Sequence, residues 1–391
     1  MSPLLYSPAP AARECRIGTS SHPSVGPVSK GSESMKEKAS EKHPAGTDKL
    51  PAYKSVSLKQ LAAHLGLNPA TISVVLNEVP GRSIPQVTRD RIKAAAKELN
   101  YQPSLLARSL RNQRTHTIGI LVPELGDGYH TQVMSGIGDQ LIKAGYFYFT
   151  AHHRHQKNLV EDYTRMFIGR GAQGIIAVDT LLQHAVPIPV VAVAGHHAIE
   201  GVTNVVLDHM RAAELILNHL YSLGHRNIAF MLGQSFSSDS SERWKALVAV
   251  AATLGIEIKP ELVVTLDRDM TSPELGYPVV QQLLATRLPF TALVSFNDIA
   301  AIGSIRALQD LNLRVPADVS VIGFDDIKAA AYTLPRLTTI NQPLAEIGRI
   351  ATQSLLDRIH GAVDLPAEIT VEPTLVVRES TGPVRPSQPP E

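Results

Sequence analysis

The densest run of side chains that could do chemistry is His152-His153-Arg154-His155, which closes the apolar segment "GYFYFTAH". Metal binding is the first chemistry such a run suggests. Adjacent residues of a strand point to opposite faces, however, and no cysteine or carboxylate stands at metal-ligand spacing around them. No metal and no cofactor is expected. His152 or His153 instead sits at a strand end, where parallel sheets bind ligands. Enzyme signatures are also missing from the sequence. It holds no Gly-x-Gly-x-x-Gly, phosphate-loop lysine, Gly-x-Ser-x-Gly or His-Glu-x-x-His motif. An enzyme is therefore not expected.

A second stretch, "LARSLRNQRTHTIGILVPE" from Leu106 to Glu124, runs a short basic helix almost directly into a buried-looking strand. A lone helix of that length is marginal in water and needs something to stabilise it. Between Lys54 and Arg114 stand ten lysines and arginines against Glu78, Asp90 and Glu98. With a whole-chain charge of +1, this segment carries +7 and the remainder −6. Such a segment on a mildly acidic body fits a nucleic-acid reader. On charge alone, a solvated surface fits equally well.

The elements around these stretches narrow the choice. "SLKQLAAHLG" places Leu58, Leu61, Ala62 and Leu65 on one helical face, with Ser57 as N-cap and Gly66 as the stop. "NPATISVVLNE" follows at once, capped by Asn68 with Pro69 at the first helical position and Ile72, Val75 and Leu76 inward. A third helix, "PQVTRDRIKAAAKELNY", is expected to bury Val87, Ile92, Ala95, Ala96 and Leu99. Two helices joined by a Gly-containing turn and closed by a third describe a helix-turn-helix domain. The tight turn and the basic balance favour DNA over a plain interaction bundle.

From Thr117 apolar runs such as "TIGILVP", "GIIAVD", "PVVAVA", "NIAFMLG", "TALVSFND" and "VSVIGFDD" alternate with amphipathic stretches. Near-continuous apolar strands between helices mean parallel sheets covered on both faces. About 260 residues of this pattern exceed one core and predict two lobes. Ligands of such sheets bind just beyond the carboxyl ends of the strands.

At 391 residues, 44% hydrophobic and 19% charged, the chain has the composition of a globular protein. No apolar run approaches a membrane span, so no membrane partner is expected. Cys15 is the only cysteine, and with no apolar N-terminal region a cytoplasmic setting is expected. Residues 1–53 and 381–391 read as disordered tails, and Met35, opening "MKEKASEK", offers an alternative start.

Taken in order, "SLKQLAAHLGLNPATISVVLN", "GRSIPQVTRDRIKAAAKELNYQPSLLARSLR", "HTIGILVPE", "LYSLGHRNIAFMLG", "FNDIAAIG", "LNLRVPADVSVIGFDD" and "LTTINQP" strongly resemble the lactose-repressor/galactose-repressor (LacI/GalR) family of transcription regulators. The resemblance covers residues 55 to about 380. It implies an N-terminal all-α helix-turn-helix domain (54–102), a hinge helix (103–114) and an α/β two-lobed periplasmic-binding-protein-like domain (115–380) with parallel sheets and helices on both faces. The last would bind effector and dimerise.

The resemblance also assigns roles. The hinge helix orders on operator DNA beside its dimer mate, and Leu110 matches a leucine that wedges into the minor groove, flanked by Arg108 and Ser109. Thr71, Ser73 and Asn77 match phosphate-holding positions, with Asn68 at the cap of the same helix. Base reading falls to Pro69, Ala70 and Val74. Many members carry Arg or His where Val74 stands, so here only apolar contact, for instance with a thymine methyl, is available. Tyr129, His130, Arg243, Asn297, Asp298, Asp325 and Gln342 match effector-binding positions, with His152 at the cleft. Arg243 would clamp vicinal hydroxyls or a carboxylate. The implied protein is a homodimeric DNA-binding regulator, a repressor by expectation, gated by a small molecule. A sugar fits best, and pentoses, hexoses, uronates and purines remain open. The competing reading is an enzyme or plain sugar-binding protein with a fused helical module, which turnover of a bound sugar would favour.

Overall fold

The computed structural model describes residues 56–78, 81–101, 114–126, 128–195, 199–235, 237–266 and 273–385. The expected N-terminal tail, and the hinge segment with Arg108, Ser109 and Leu110, lie outside the described residues.

The helical module consists of α1 (Leu58–Leu65), α2 (Pro69–Leu76) and α3 (Gln86–Glu98). Its starts are fixed by local chemistry. Ser57 and Gln60 form a reciprocal capping box, and the Asn68 side chain accepts from the Ala70 N–H at 2.8 Å. Leu61, Leu65, Ile72, Val75, Ile92, Ala95 and Ala96 are buried among the three helices. Val87, expected inside, is 79% exposed. It lies five residues before Ile92, about 140° around the helix from the buried stripe, so helical geometry carries it outward. Leu58, Leu76 and Leu99 are half-buried at the margins of the core.

Two six-stranded sheets follow. The first lobe holds β1 (Thr117–Val122), β2 (Phe147–His152), β3 (Gly174–Val178), β4 (Val190–Val193) and β5 (Val202–Leu207), with β11 (Glu368–Val371) returning late to its edge. Spatially the order is β2-β1-β3-β4-β5-β11, all parallel. The second lobe repeats the plan with β6 (Ile228–Leu232), β7 (Val263–Thr265), β8 (Ala292–Val294), β9 (Ser320–Asp325), β10 (Thr338–Asn341) and β12 (Thr374–Val376), in the order β7-β6-β8-β9-β10-β12. Only β12 is antiparallel, to β10.

Helices cover the sheets because their apolar stripes need partners. In the first lobe α4 (Tyr129–Lys143) and α10 (Leu344–Ile359) share a core through Val133, Ile137, Leu141, Ile347, Ala351 and Leu355, and α5 (Lys157–Gly169) brings Val160 and Phe167 to a separate cluster. In the second, α6 (His209–Ser222) and α7 (Ser238–Leu254) share one core, while α8 (Tyr277–Ala285) and α9 (Asp298–Asp310) share another. No helix among the described residues is long and apolar enough to cross a membrane.

The chain crosses between lobes three times: after β5 at Asp208, after β10 at Gln342-Pro343, and after β11 at Glu372-Pro373. These crossings are tied to one another and to the strand ends. Asp208 N–H donates to Val371 O at 2.9 Å, and Gln342 N–H to Asp325 O at 3.4 Å.

One expectation is corrected at the C-terminus, where residues from 381 onward were read as a disordered tail. Residues 381–385 instead strap onto the second lobe. His225 Nε2 donates to Gly382 O at 3.0 Å, Gly382 N–H reaches Ser320 Oγ at 3.1 Å, and Val384 N–H donates to Leu223 O at 3.0 Å. Backbone groups supply most of these bonds, so the polar, Pro-rich composition gave no sign of them.

Candidate functional site

In each sheet the first strand lies between the second and third, so chain connections run to opposite sides of it, and that is where a crevice opens at the carboxyl ends. The residues after β1 and β3 therefore face a site from the first lobe. Those after β6, β8 and β9 do so from the second.

From the first lobe come Tyr129 and His130, the opening residues of α4, with rings edge-on at 5.1 Å. Gly128 caps this helix at φ 105, and a Cβ there would lie 2.8 Å from Ile327 of the second lobe. Only glycine permits both the backbone and that approach. Asp179 follows β3 with φ 44, its Oδ2 3.5 Å from His130 Nε2.

From the second lobe come Asp239 and Arg243, one turn apart on α7. Arg243 Nη2 is 3.5 Å from Asp239 Oδ2, and His209 Nε2, at the start of α6, is 3.3 Å from Asp239 Oδ1. The guanidinium carbon of Arg243 lies 3.5 Å from the Phe324 ring centre and 4.6 Å from that of Phe296, and Nη1 donates to Phe296 O. Asp325 ends β9 at φ 117, and Gln342 Nε2 donates to its Oδ1 at 2.6 Å.

The electrostatics show that these groups converge. Burial raises the Tyr129 hydroxyl well above its usual range, and the carboxylates of Asp239, Asp179 and Asp325 push it further. Burial pushes Asp325 up to about 7 against the opposing pull of Arg243 and Gln342, with Asp239 adding to the rise. Two buried polar atoms in the cluster, Arg243 Nε and His130 Nε2, lack hydrogen-bond partners. Buried polar groups are normally satisfied, so these two stand out, His130 Nε2 having only Asp179 Oδ2 at 3.5 Å.

Not every expected residue joins the cluster. Asp298 is 0% exposed, with Oδ1 accepting from Thr339 Oγ1 at 2.5 Å and Oδ2 from Ile327 N–H at 2.9 Å. Its carboxyl group braces β10 and the turn after β9. Burial and Asp325 hold it well above the ordinary carboxyl range. Asn297 spends its side-chain oxygen capping α9 through Ala300 N–H at 2.9 Å. His152 is exposed, on a separate 380 Å³ cavity with Glu124, Arg154 and His155. His153 is the inward member, Nε2 2.8 Å from Thr180 Oγ1, and burial lowers it to about 4. Among the described residues no group of three or more acidic, histidine or cysteine side chains is placed to hold a metal ion.

Sequence reasoning missed Asp179, His209 and Asp239. Asp179 was the most accessible of them, since it closes "GIIAVD" at the strand end where ligands bind. Asp239 and His209 sit in first helical turns, where acidic and polar residues also serve as caps.

In the helical module, Pro69 and Ala70 are exposed at the start of α2, and Thr71, Ser73, Val74 and Asn77 are half-buried along it. Asn77 Nδ2 donates to Ser73 O at 2.7 Å and to its Oγ at 3.2 Å. Arg91 donates to Leu65 O and Lys93 pairs with Glu78 at 3.1 Å, so part of the basic excess braces the module itself.

A helix-turn-helix module joined in one chain to two lobes, with a polar cluster buried between them, is the architecture of a transcriptional regulator with a ligand-binding domain. The comparisons agree. Residues 217–381 match the periplasmic binding protein-like domain. The chain is 32% identical over 340 residues to the HTH-type transcriptional repressor PurR of Erwinia tasmaniensis, covering 84% of this chain and 98% of that one. It is 30% identical over 332 residues to the repressor of that name from Aliivibrio fischeri, covering 83% and 98%. Among solved structures, the Lac repressor dimer bound to operator and the anti-inducer ONPF superposes with a TM-score of 0.76 at 24% identity, over 84% of this chain and all of that one. The transcriptional regulator CelR in complex with cellobiose gives 0.63 at 26% identity, over 83% and 99%. A LacI family regulator from Enterococcus faecium with bound ribose gives 0.61 at 27%, over 69% and 100%. The chain belongs to the LacI/GalR family of transcriptional regulators.

Proposed function

We propose that the protein is a cytoplasmic repressor, not an enzyme, that binds a two-fold symmetric operator as a homodimer and is controlled by a sugar-like effector between its lobes. The observation that carries this reading is the buried cluster. Tyr129, His130 and Asp179 from one lobe meet Asp239, Arg243, Asp325 and Gln342 from the other beside the interlobe crossings, with Arg243 Nε and His130 Nε2 making no hydrogen bond. A molecule held by both lobes changes their closure, and the hinge segment 103–114 transmits that change to the DNA-reading helices. Cellobiose in CelR and ribose in the Enterococcus regulator support a carbohydrate.

On DNA, α2 enters the major groove. Asn68, Thr71, Ser73 and Asn77 set its register on phosphates, Pro69, Ala70 and Val74 face base edges, and the hinge brings Leu110 to the central minor groove with Arg108 and Ser109 beside it. The partner is a second copy of this chain. Edge strand β2 presents Phe147 at 61% exposure beside Phe149, and Tyr332 and Leu334 stand 86% and 82% exposed on the second lobe. Exposed aromatics on both lobes suit an extended subunit interface.

The test is a footprint on DNA upstream of the protein's own gene at two salt concentrations. A protected symmetric site whose affinity falls steeply with salt supports the reading. No protection at low salt by folded protein refutes it.

A further inference from the structure

The outward face of α2 bears on which bases it can read, an inference that rests on the proposed entry of this helix into the major groove. From Pro69 to Leu76 it reads PATISVVL, with no charged, histidine or amide side chain. Paired donors to guanine, the donor-acceptor pair for adenine and a carboxylate for cytosine all need one of those types.

Ile72 and Val75 are fully buried against the other two helices and mark the inner side. Ala70 lies about 160° and 140° from them around the helix, and Val74 about 160° and 100°. Ala70 is exposed and Val74 half-buried. Ser73 and Asn77 share this outward side, but Asn77 directs Nδ2 back along the helix, to Ser73 O at 2.7 Å and Oγ at 3.2 Å. A serine hydroxyl both donates and accepts, so alone it does not choose a base. The backbone at the helix start is also engaged. Pro69 has no N–H, Ala70 N–H donates to Asn68 Oδ1 at 2.8 Å, and the Thr71 and Ile72 N–H groups donate to Asn68 O at 3.0 and 3.3 Å.

Methyl groups thus stand at the centre of the face. Pressed on guanine O6 and N7 or on cytosine N4, they would strip those atoms of water and return no hydrogen bond. The apolar feature of a major-groove edge is the thymine C5 methyl, where burial is favourable. Ala70 and Val74 are one turn apart, about 6 Å along the axis, which two base-pair steps of about 3.4 Å span.

We infer that α2 reads thymine methyl groups. Each half-site holds one thymine against Val74 and another against Ala70, about two steps apart or less and on either strand, and no guanine under this helix is read by paired donors. Val74, with two methyls to bury, is the specificity-determining residue.

The test selects duplexes from a random library with the full chain. The selected site is then remade with deoxyuridine for each thymine in turn, symmetrically in both half-sites. The exchange removes the C5 methyl and keeps the base pair. Affinity should fall about fivefold or more at two thymines of the half-site, as loss of a buried methyl implies, and stay within about twofold at the others. In Val74→Ala one of the two losses should shrink below about twofold while the other persists. Indifference to deoxyuridine at every thymine, a selected half-site without thymine, or losses that Val74→Ala leaves unchanged overturn the inference. If a symmetric site was nonetheless enriched, the regulator reading stands and only the mode of base reading is wrong. If folded protein enriches no symmetric sequence, that reading falls and the inference with it.

Discussion

Gln342 Nε2 donates to Asp325 Oδ1 at 2.6 Å, joining a crossing between the lobes to the end of a central strand of the second lobe. The contact puts a hinge residue in direct touch with a carboxylate of the buried cluster. On the proposed reading, a ligand that engages Asp325 acts on that crossing through one hydrogen bond.

Replacing Gln342 with Ala tests this. A hydrogen bond to a charged group contributes about 1.5–3 kcal/mol, so effector affinity should fall roughly 10- to 100-fold. Operator binding by the ligand-free variant should stay within about threefold of wild type. Calorimetry and a gel-shift titration read the two effects separately.

A pH dependence follows from Asp325. It faces Arg243 and His130, which favour its charged form, Asp239, which opposes it, and Gln342, with Asp298 and Tyr129 also coupled to it. Its folded value of about 7 stands above an unfolded value of about 3.9. The folded chain thus holds this proton more tightly. The stability it contributes is complete below about pH 4 and lost as pH rises through 7. His153, lowered to about 4, acts in the opposite sense, losing stability as pH falls below its unfolded value. The difference in Tm between wild type and Asp325→Asn cancels His153 and should change steadily between pH 5 and 8. Effector affinity should rise over the upper part of that range, with proton release on binding at pH 6.

Gly323 allows Asp298 its place under the sheet, since a Cβ there would lie 2.1 Å from Asp298 Oδ1. Gly323→Ala should lower Tm by several degrees, in keeping with about 1–3 kcal/mol for an overpacked core. Asp298→Asn in the same background should recover little, because the clash is with the side-chain oxygen that both residues carry.

Leu110→Ala should spare the fold and ligand binding while removing most specific operator affinity, since an apolar wedge contributes by unstacking a base step. Non-specific binding at low salt should be unchanged. Equal operator affinity in this variant would refute the wedge assignment.

The sheets were legible because "TIGILV", "GIIAV" and "VSVIGF" are buried on both faces and read as unbroken apolar runs. Strands β10, β11 and β12 went unread: "TTIN", "EITV" and "TLV" are three or four residues long and carry Thr or Glu. Their pairing is decided by the crossings rather than by local pattern. At the site, family likeness drew attention to Arg243, Asp325 and Gln342, which the fold brings together. It also pointed to Asp298, whose neighbours Thr339 and Ile327 are far away in sequence and visible only once the chain is folded. Nor could the sequence reveal that Arg243 turns its fork toward Phe296 and Asp239.

The most direct test of the account is operator affinity measured with and without a compound that raises the protein's Tm, in wild type and in Arg243→Ala. Allosteric coupling of about 1–3 kcal/mol predicts a 5- to 150-fold change in wild type. The variant, with its cleft disabled, should show no response to the compound and ordinary operator binding without it. A compound that binds wild type but not the variant, yet leaves wild-type operator affinity unchanged, would contradict the claim that the cleft controls DNA binding.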